Sequence, residues 1–158
     1  MPNGPTIPIG GIYAGLFSRR DGTFHWTVMV PLNDTVCEKF HATEDSNGWR
    51  YEHTPHTVVT SRTACVVVKI AQLNNLTIEY LDRLLSTIPM ETLPADQGQQ
   101  FTCRIWFREA IRRLHKAGVL QCPSVNNLEF ELKDQASSHY MNLERGATYK
   151  VLTSEYSK

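Results

Sequence analysis

The stretch Thr23-Phe24-His25-Trp26-Thr27-Val28-Met29-Val30 decides the fold. It is dense in β-branched and aromatic side chains, which suit a pleated, half-buried surface better than a helix. Asp21-Gly22 ahead of it and Pro31 to Asp34 behind it are breakers, so it reads as a strand closed at both ends. Working outward, Ile12-Tyr13-Ala14-Gly15-Leu16-Phe17 is a first strand, joined through the turn Arg20-Asp21-Gly22. Val36 to Ala42 is a third, and Trp49-Arg50-Tyr51-Glu52 a fourth after Asp45-Ser46-Asn47-Gly48. Thr57 to Thr60 adds a brief pairing segment, and the continuous apolar run Ala64 to Ile70 fits a buried strand. Together these predict an antiparallel meander of five or six strands.

The second half switches period. Thr77 is an N-cap for a helix holding Tyr80, Leu81, Leu84, Leu85 and Ile88, ended by Pro89 and Leu93-Pro94-Ala95-Asp96. The next helix runs from Gly98 or Thr102 to Ala117 and stops at Gly118. Its apolar stripe is Cys103, Trp106, Phe107, Ala110, Leu114 and Ala117, with Arg104, Arg108, Arg112, Arg113 and Lys116 off the stripe. Ser124 to Arg145 fits a third helix, although Leu128-Glu129-Phe130-Glu131-Leu132 also alternates like a strand. Thr148 to Thr153 adds an edge strand. The fold class is therefore α+β: an antiparallel meander sheet from the N-terminal half, packed against helices of the C-terminal half.

The chain has 158 residues, which predicts one domain over 11–158. Residues 1–10, with Pro2, Pro5, Pro8, Gly4 and Gly10, read as an extended arm. Sixteen Lys+Arg balance sixteen Asp+Glu, and the densest basic run is spaced like the wet face of a helix, so no nucleic-acid partner is expected. No apolar run reaches the ~18 residues that span a bilayer. Met1 to Pro5 lacks the basic and apolar regions of a secretory signal. Cys37, Cys65, Cys103 and Cys122 form no C-x-x-C pair, and the expectation is reduced thiols in a cytoplasmic protein.

Three residues point to chemistry when taken together. His25 lies in a strand beside Trp26, His41 lies in the next strand, and Cys103 lies at or near the start of a helix. A strand histidine or a helix cysteine alone is ordinarily a packing residue. Together they supply what a thiol nucleophile needs. The thiolate is the reactive form, and a helix N-terminus and a nearby imidazolium both favour it. A third polar group then fixes the imidazole tautomer. If Thr102 is the N-cap, Cys103 feels the helix end fully; if Asp96 caps, with Gln99 completing a capping box, Cys103 falls in the second turn.

Phe24-His25-Trp26-Thr27-Val28-Met29-Val30, then Phe40-His41-Ala42, and then Phe101-Thr102-Cys103-Arg104-Ile105-Trp106-Phe107 resemble the His-Trp…His and Cys-at-helix-start segments of lecithin:retinol acyltransferase-like proteins. Those belong to the circularly permuted branch of the NlpC-type, papain-like thiol enzymes, in which the His strand precedes the Cys helix. The resemblance covers residues 11–118 in layout. It implies a permuted papain-like fold with Cys103 as nucleophile, His25 as general base and acid, and His41 as orienting group. Thr102 stands where that family usually has Asn, and no membrane-anchoring tail is seen, which turns the expectation away from lipid substrates.

By the same analogy the oxyanion donors are the Cys103 N–H and Gln100 or Gln99, with Trp26 and Trp106 as core or pocket walls. Glu44, Asp45 and Glu52 are solvated turn acids or alternatives to His41 as third member. No metal site is expected: His53 with His56, and Cys37 with His41, lack a second close pair of ligands. No phosphate-binding glycine loop occurs and no cofactor is implied. The expected activity is a thiol hydrolase or acyltransferase acting on an amide, ester or thioester of a small molecule, peptide or ubiquitin-like substrate. Two alternatives stand beside it: proton transfer or cyclisation in small-molecule biosynthesis by the same dyad, and a binding module that keeps the fold without catalysis.

Overall fold

A computed structural model describes residues 3–158. The elements run β1 (Gly11–Ser18), β2 (Phe24–Pro31), β3 (Val36–Asp45), β4 (Gly48–Thr57), β5 (Ala64–Gln72), α1 (Ile78–Leu85), α2 (Cys103–Lys116), α3 (Val125–Glu144) and β6 (Lys150–Thr153). The molecule is α+β, with one mostly antiparallel sheet and three helices.

The sheet order is β4-β3-β2-β1-β5-β6, so only the first four strands form the meander. β5 does not continue it beside β4. It crosses back to pair antiparallel with β1, and β6 joins it in parallel. Burial explains the correction. β5 is buried along nearly its whole length and covered on both faces, whereas β4 is half-exposed along its length and suits an edge. Thr57 closes β4, and 58–60 add no separate strand.

Alternation divides the sheet into two faces. Ile12, Ala14, Leu16, Trp26, Val28, Phe40, Val66 and Val68 pack with Leu81, Trp106, Phe107, Leu128 and Leu132 of the helices. Tyr13, Phe17, Met29, Cys37 and Val67 form a second cluster with Ile7, Val58 and Tyr149. The arm ahead of β1 lies against this second face. Gly4 donates to Val59 O at 2.7 Å, and the Tyr149 and Tyr13 hydroxyls donate to Pro5 O and Pro8 O. Of the expected arm, residues 1 and 2 lie outside the described ones.

The helix boundaries follow local chemistry. Thr77 caps α1 through its side chain, which accepts from Tyr80 N–H, and α1 stops before Ile88. Gly118 sits past the end of α2 at φ 76°, where a side chain would be strained. Ser124 caps α3 by accepting from Asn127 N–H at 3.2 Å. No helix among the described residues is long and apolar enough to cross a membrane.

Candidate active site

α2 starts at Cys103 because Thr102 holds an extended backbone, φ −148° and ψ 177°. Thr102 is therefore the N-cap residue, and its carbonyl accepts from Trp106 N–H at 3.0 Å. Its side chain caps nothing, so the first-turn donors, the Cys103 N–H among them, remain open to an acceptor. Asp96 closes a 3-10 turn, Pro94–Asp96, and gives its carboxylate to Arg108 and Arg112 at 2.9 and 2.6 Å.

The sheet opens near this helix end. β2 and β3 pair only from Pro31↔Cys37 to Val28↔Phe40; beyond that β2 stays with β1 and β3 with β4. His25 and His41 lie in the part where the two strands are no longer paired. His25 Nε2 lies 2.6 Å from His41 Nδ1, and His41 Nε2 lies 3.1 Å from Glu52 Oε1. Glu52 sits directly across from His41 in the β3–β4 register. On the other side of His25, Arg19 Nη2 is 3.1 Å from His25 Nδ1 and 3.3 Å from Cys103 Sγ. Arg19 reaches His25 because Phe17 opposes His25, which makes Arg19 its diagonal neighbour on the same face.

The two ends of this chain fix every proton in it. A guanidinium only donates and an ionised carboxylate only accepts. Arg19 therefore donates to His25 Nδ1, the His25 Nε2–H donates to His41 Nδ1, and the His41 Nε2–H donates to Glu52. Arg50, donating to Glu52 at 2.8 Å, and His41 hold that carboxyl below its usual range. Burial, reinforced by His41, Arg19 and Lys39, pushes His25 down to about 3. Burial and Lys39 take His41 to about 4 against the pull of Glu52. Both rings are neutral at pH 7, and the unprotonated His25 Nδ1 accepts from the Arg19 nitrogen that also contacts the thiol.

That geometry changes one expectation. The cation touching Sγ is Arg19, not an imidazolium. Sγ and His25 Nδ1 share one guanidinium nitrogen rather than a hydrogen bond to each other. The thiol is 1% exposed and also lies 4.0 Å from Phe24 O. The other three cysteines are buried too; burial pushes Cys37 up to about 12 and Cys65 to about 11, and raises Cys122.

Cys103 lines a cleft of about 290 Å³ together with Arg19, Trp26, Thr102, Arg104 and Lys133. A larger cavity of about 430 Å³ between Arg20, Arg62 and Glu144 has no thiol in its lining, whereas the smaller cleft is lined by Cys103 and Arg19, with His25 reached through Arg19. Trp26 is a cleft wall. Trp106 is not: it is wholly buried in the core and packs against Tyr51. Neither Gln99 nor Gln100 lines the cleft. The Gln99 side-chain oxygen instead accepts from Arg104 at 2.8 Å. No group of three or more His, Cys, Asp or Glu among the described residues is arranged to hold a metal ion.

Sequence reasoning offered Glu52 only as a turn acid or an alternative to His41, whereas it stands behind His41, and it passed over Arg19. Glu52 could have been found by counting back equally from the turn at Ser46 and Asn47, which sets it opposite His41. Arg19 carried no such signal, since an arginine beside an Asp-Gly turn is ordinarily solvated.

Comparison with known proteins matches residues 12–121 to the model of a family of unknown function, DUF6540. That span runs from β1 past α2 and holds Arg19, His25, His41, Glu52 and Cys103. No curated protein and no solved structure matches the chain.

Proposed function

Because the chain belongs to DUF6540, a family of unknown function, we propose its activity from the site itself: a cysteine-dependent hydrolase or acyltransferase acting on an amide, ester or thioester carbonyl. The observation that supports this reading is the proton-ordered chain Glu52–His41–His25, which ends in an unprotonated nitrogen that shares the Arg19 guanidinium with a thiol at a helix start. Two histidines aligned by a carboxylate and strongly shifted by burial beside a cleft thiol are the arrangement expected of a functional site. The order strand His, strand His, helix Cys also supports a permuted papain-like relationship.

In this mechanism the Cys103 thiol gives its proton to His25 Nδ1 as sulfur bonds to the carbonyl carbon. The carbonyl π pair moves onto oxygen, toward the open N–H groups at the start of α2. Collapse returns that pair, breaks the bond to the leaving group, and the leaving group takes the proton from His25. Water then gives a proton to His25, attacks the acyl-enzyme and releases the thiol and the acid. An amine or alcohol in place of water makes the product of transfer. His41 and Glu52 hold the His25 ring in the tautomer that leaves Nδ1 unprotonated to take the proton.

One observation favours the binding-module reading: Cys103 is 1% exposed and Arg19 stands between it and His25. Alkylation of the native protein with iodoacetamide at mildly acidic pH, read at each cysteine by peptide mass spectrometry, separates the two. Catalysis requires Cys103 to label ahead of the other three, and His25→Gln to slow it. If all four thiols stay inert until the protein is unfolded, the site is a packed core and the proposal fails.

A further inference from the structure

The cleft beside Cys103 is cationic without a matching acid. Of its three basic residues, Arg104 is balanced by Glu129 at 2.6 Å and also holds Gln99. The other two are not balanced. Arg19 contacts only the neutral His25 ring and the sulfur, and Lys133 is exposed on α3; neither has a carboxylate within ion-pairing distance among the described residues. Asp21, the nearest acid in sequence, feels the Arg19 charge without pairing with it, and accepts instead from the N–H and hydroxyl of Thr23.

Resting on the thiol-enzyme reading, we infer that the cleft takes a small acyl substrate bearing a carboxylate close to the reacting carbonyl, received by Arg19 and Lys133. Size supports the small partner, since about 290 Å³ lies at the foot of the ~300–1,000 Å³ range of small-molecule sites. Position supports the closeness: Arg19 touches Sγ itself, so an anion that takes over its guanidinium sits within a few bonds of the carbon the sulfur attacks.

The same event frees the dyad. Arg19 Nη2 occupies the seat of the S–H···Nδ1 bond, and its charge helps to keep His25 from taking a proton. A substrate carboxylate that draws the guanidinium away opens that seat and offsets that charge. The empty cleft thus holds its thiol below full reactivity, and the correct substrate completes the pairing of nucleophile and base.

Iodoacetate and iodoacetamide are close in size and differ in charge, so their relative rates on Cys103 test this. The iodoacetate-to-iodoacetamide ratio is normalised to the same ratio on N-acetylcysteine. The native protein should exceed the small thiol by roughly tenfold or more, the gain of a cleft of one sign. Arg19→Gln and Lys133→Gln should each bring the ratio toward that of the free thiol. Rapid labelling by iodoacetamide with a ratio no higher than the free thiol's overturns the anionic substrate alone. A high ratio that survives both substitutions overturns the roles of Arg19 and Lys133. A Cys103 inert to both reagents refutes the thiol-enzyme reading, and the inference falls with it.

Discussion

The buried His41 and the half-buried His25 make stability fall steeply with acid. In the unfolded chain His25 and His41 titrate near 6.5; folded, they are held at about 3 and about 4. A folded value below the unfolded one means that the folded state binds fewer protons. The contribution is therefore complete above 6.5, begins to be lost as pH falls through 6.5, and is exhausted only near the folded values. The geometry says why protonation is resisted. A second proton on His25 sets an Nδ1–H against the Arg19 donor, and one on His41 sets an Nδ1–H against the His25 Nε2–H.

At about pH 5 both rings are still neutral in the fold and almost wholly protonated in the unfolded chain. The gap from 6.5, at ~1.36 kcal/mol per pH unit, costs about 2 kcal/mol per ring and about 4 kcal/mol for the pair. That is a large share of a typical stability of ~5–15 kcal/mol. Urea unfolding of the native protein and of the double variant His25→Gln/His41→Gln, each at about pH 8 and about pH 5, isolates this loss. Groups that do not touch the two rings titrate alike in both proteins and cancel in the difference. The native protein should lose about 4 kcal/mol more than the double variant over that interval, whatever the variant costs at pH 8. Equal losses in the two proteins would refute the neutral, proton-ordered chain on which the mechanism rests.

Two further predictions concern the scaffold. Asp96 is 4% exposed and serves as shared acceptor for Arg108 and Arg112, so Asp96→Ala strands the buried Arg108 charge beside an empty seat. It should cost ~3–5 kcal/mol in urea unfolding, and a loss below about 1 kcal/mol would mean that Glu129 and Asn126 suffice for that arginine. Gly4→Ala puts a methyl 2.1 Å from the Tyr149 ring, which is itself 2% exposed and hemmed in. The arm must lift, costing ~1–3 kcal/mol and exposing the Gly4 amide to faster hydrogen exchange; unchanged exchange would mean that the arm is not seated there.

The sequence made the elements readable and left their order in space less so, and particular residues show why. Leu128 and Leu132 recur at a spacing that serves a helix face, yet the segment between them also alternates. Only Phe130 resolves it, because at 73% exposure it is an apolar residue that the third helix leaves in water. The run Ala64 to Ile70 was visible as a doubly buried strand, and that property already conflicts with a place beside half-exposed β4. Taken seriously, it sends the strand to the middle of the sheet, next to β1.

The site divides along the same line. Cys103, His25 and His41 each announce themselves by residue type, and Glu52 follows once the β3–β4 turn sets the register. Arg19 follows from nothing local. Its role depends on the β1–β2 register that makes it the diagonal neighbour of His25, and on a helix that begins 84 positions later with its sulfur 3.3 Å away. A long, flexible cation beside a turn has many exposed resting places, and it takes this one because a neutral imidazole nitrogen and a sulfur both offer lone pairs without a competing acid. That arrangement is satisfied but not saturated, since neither partner carries the negative charge that a guanidinium pairs with best. The residue least legible in the sequence is therefore the one whose partner the molecule leaves to be supplied from outside.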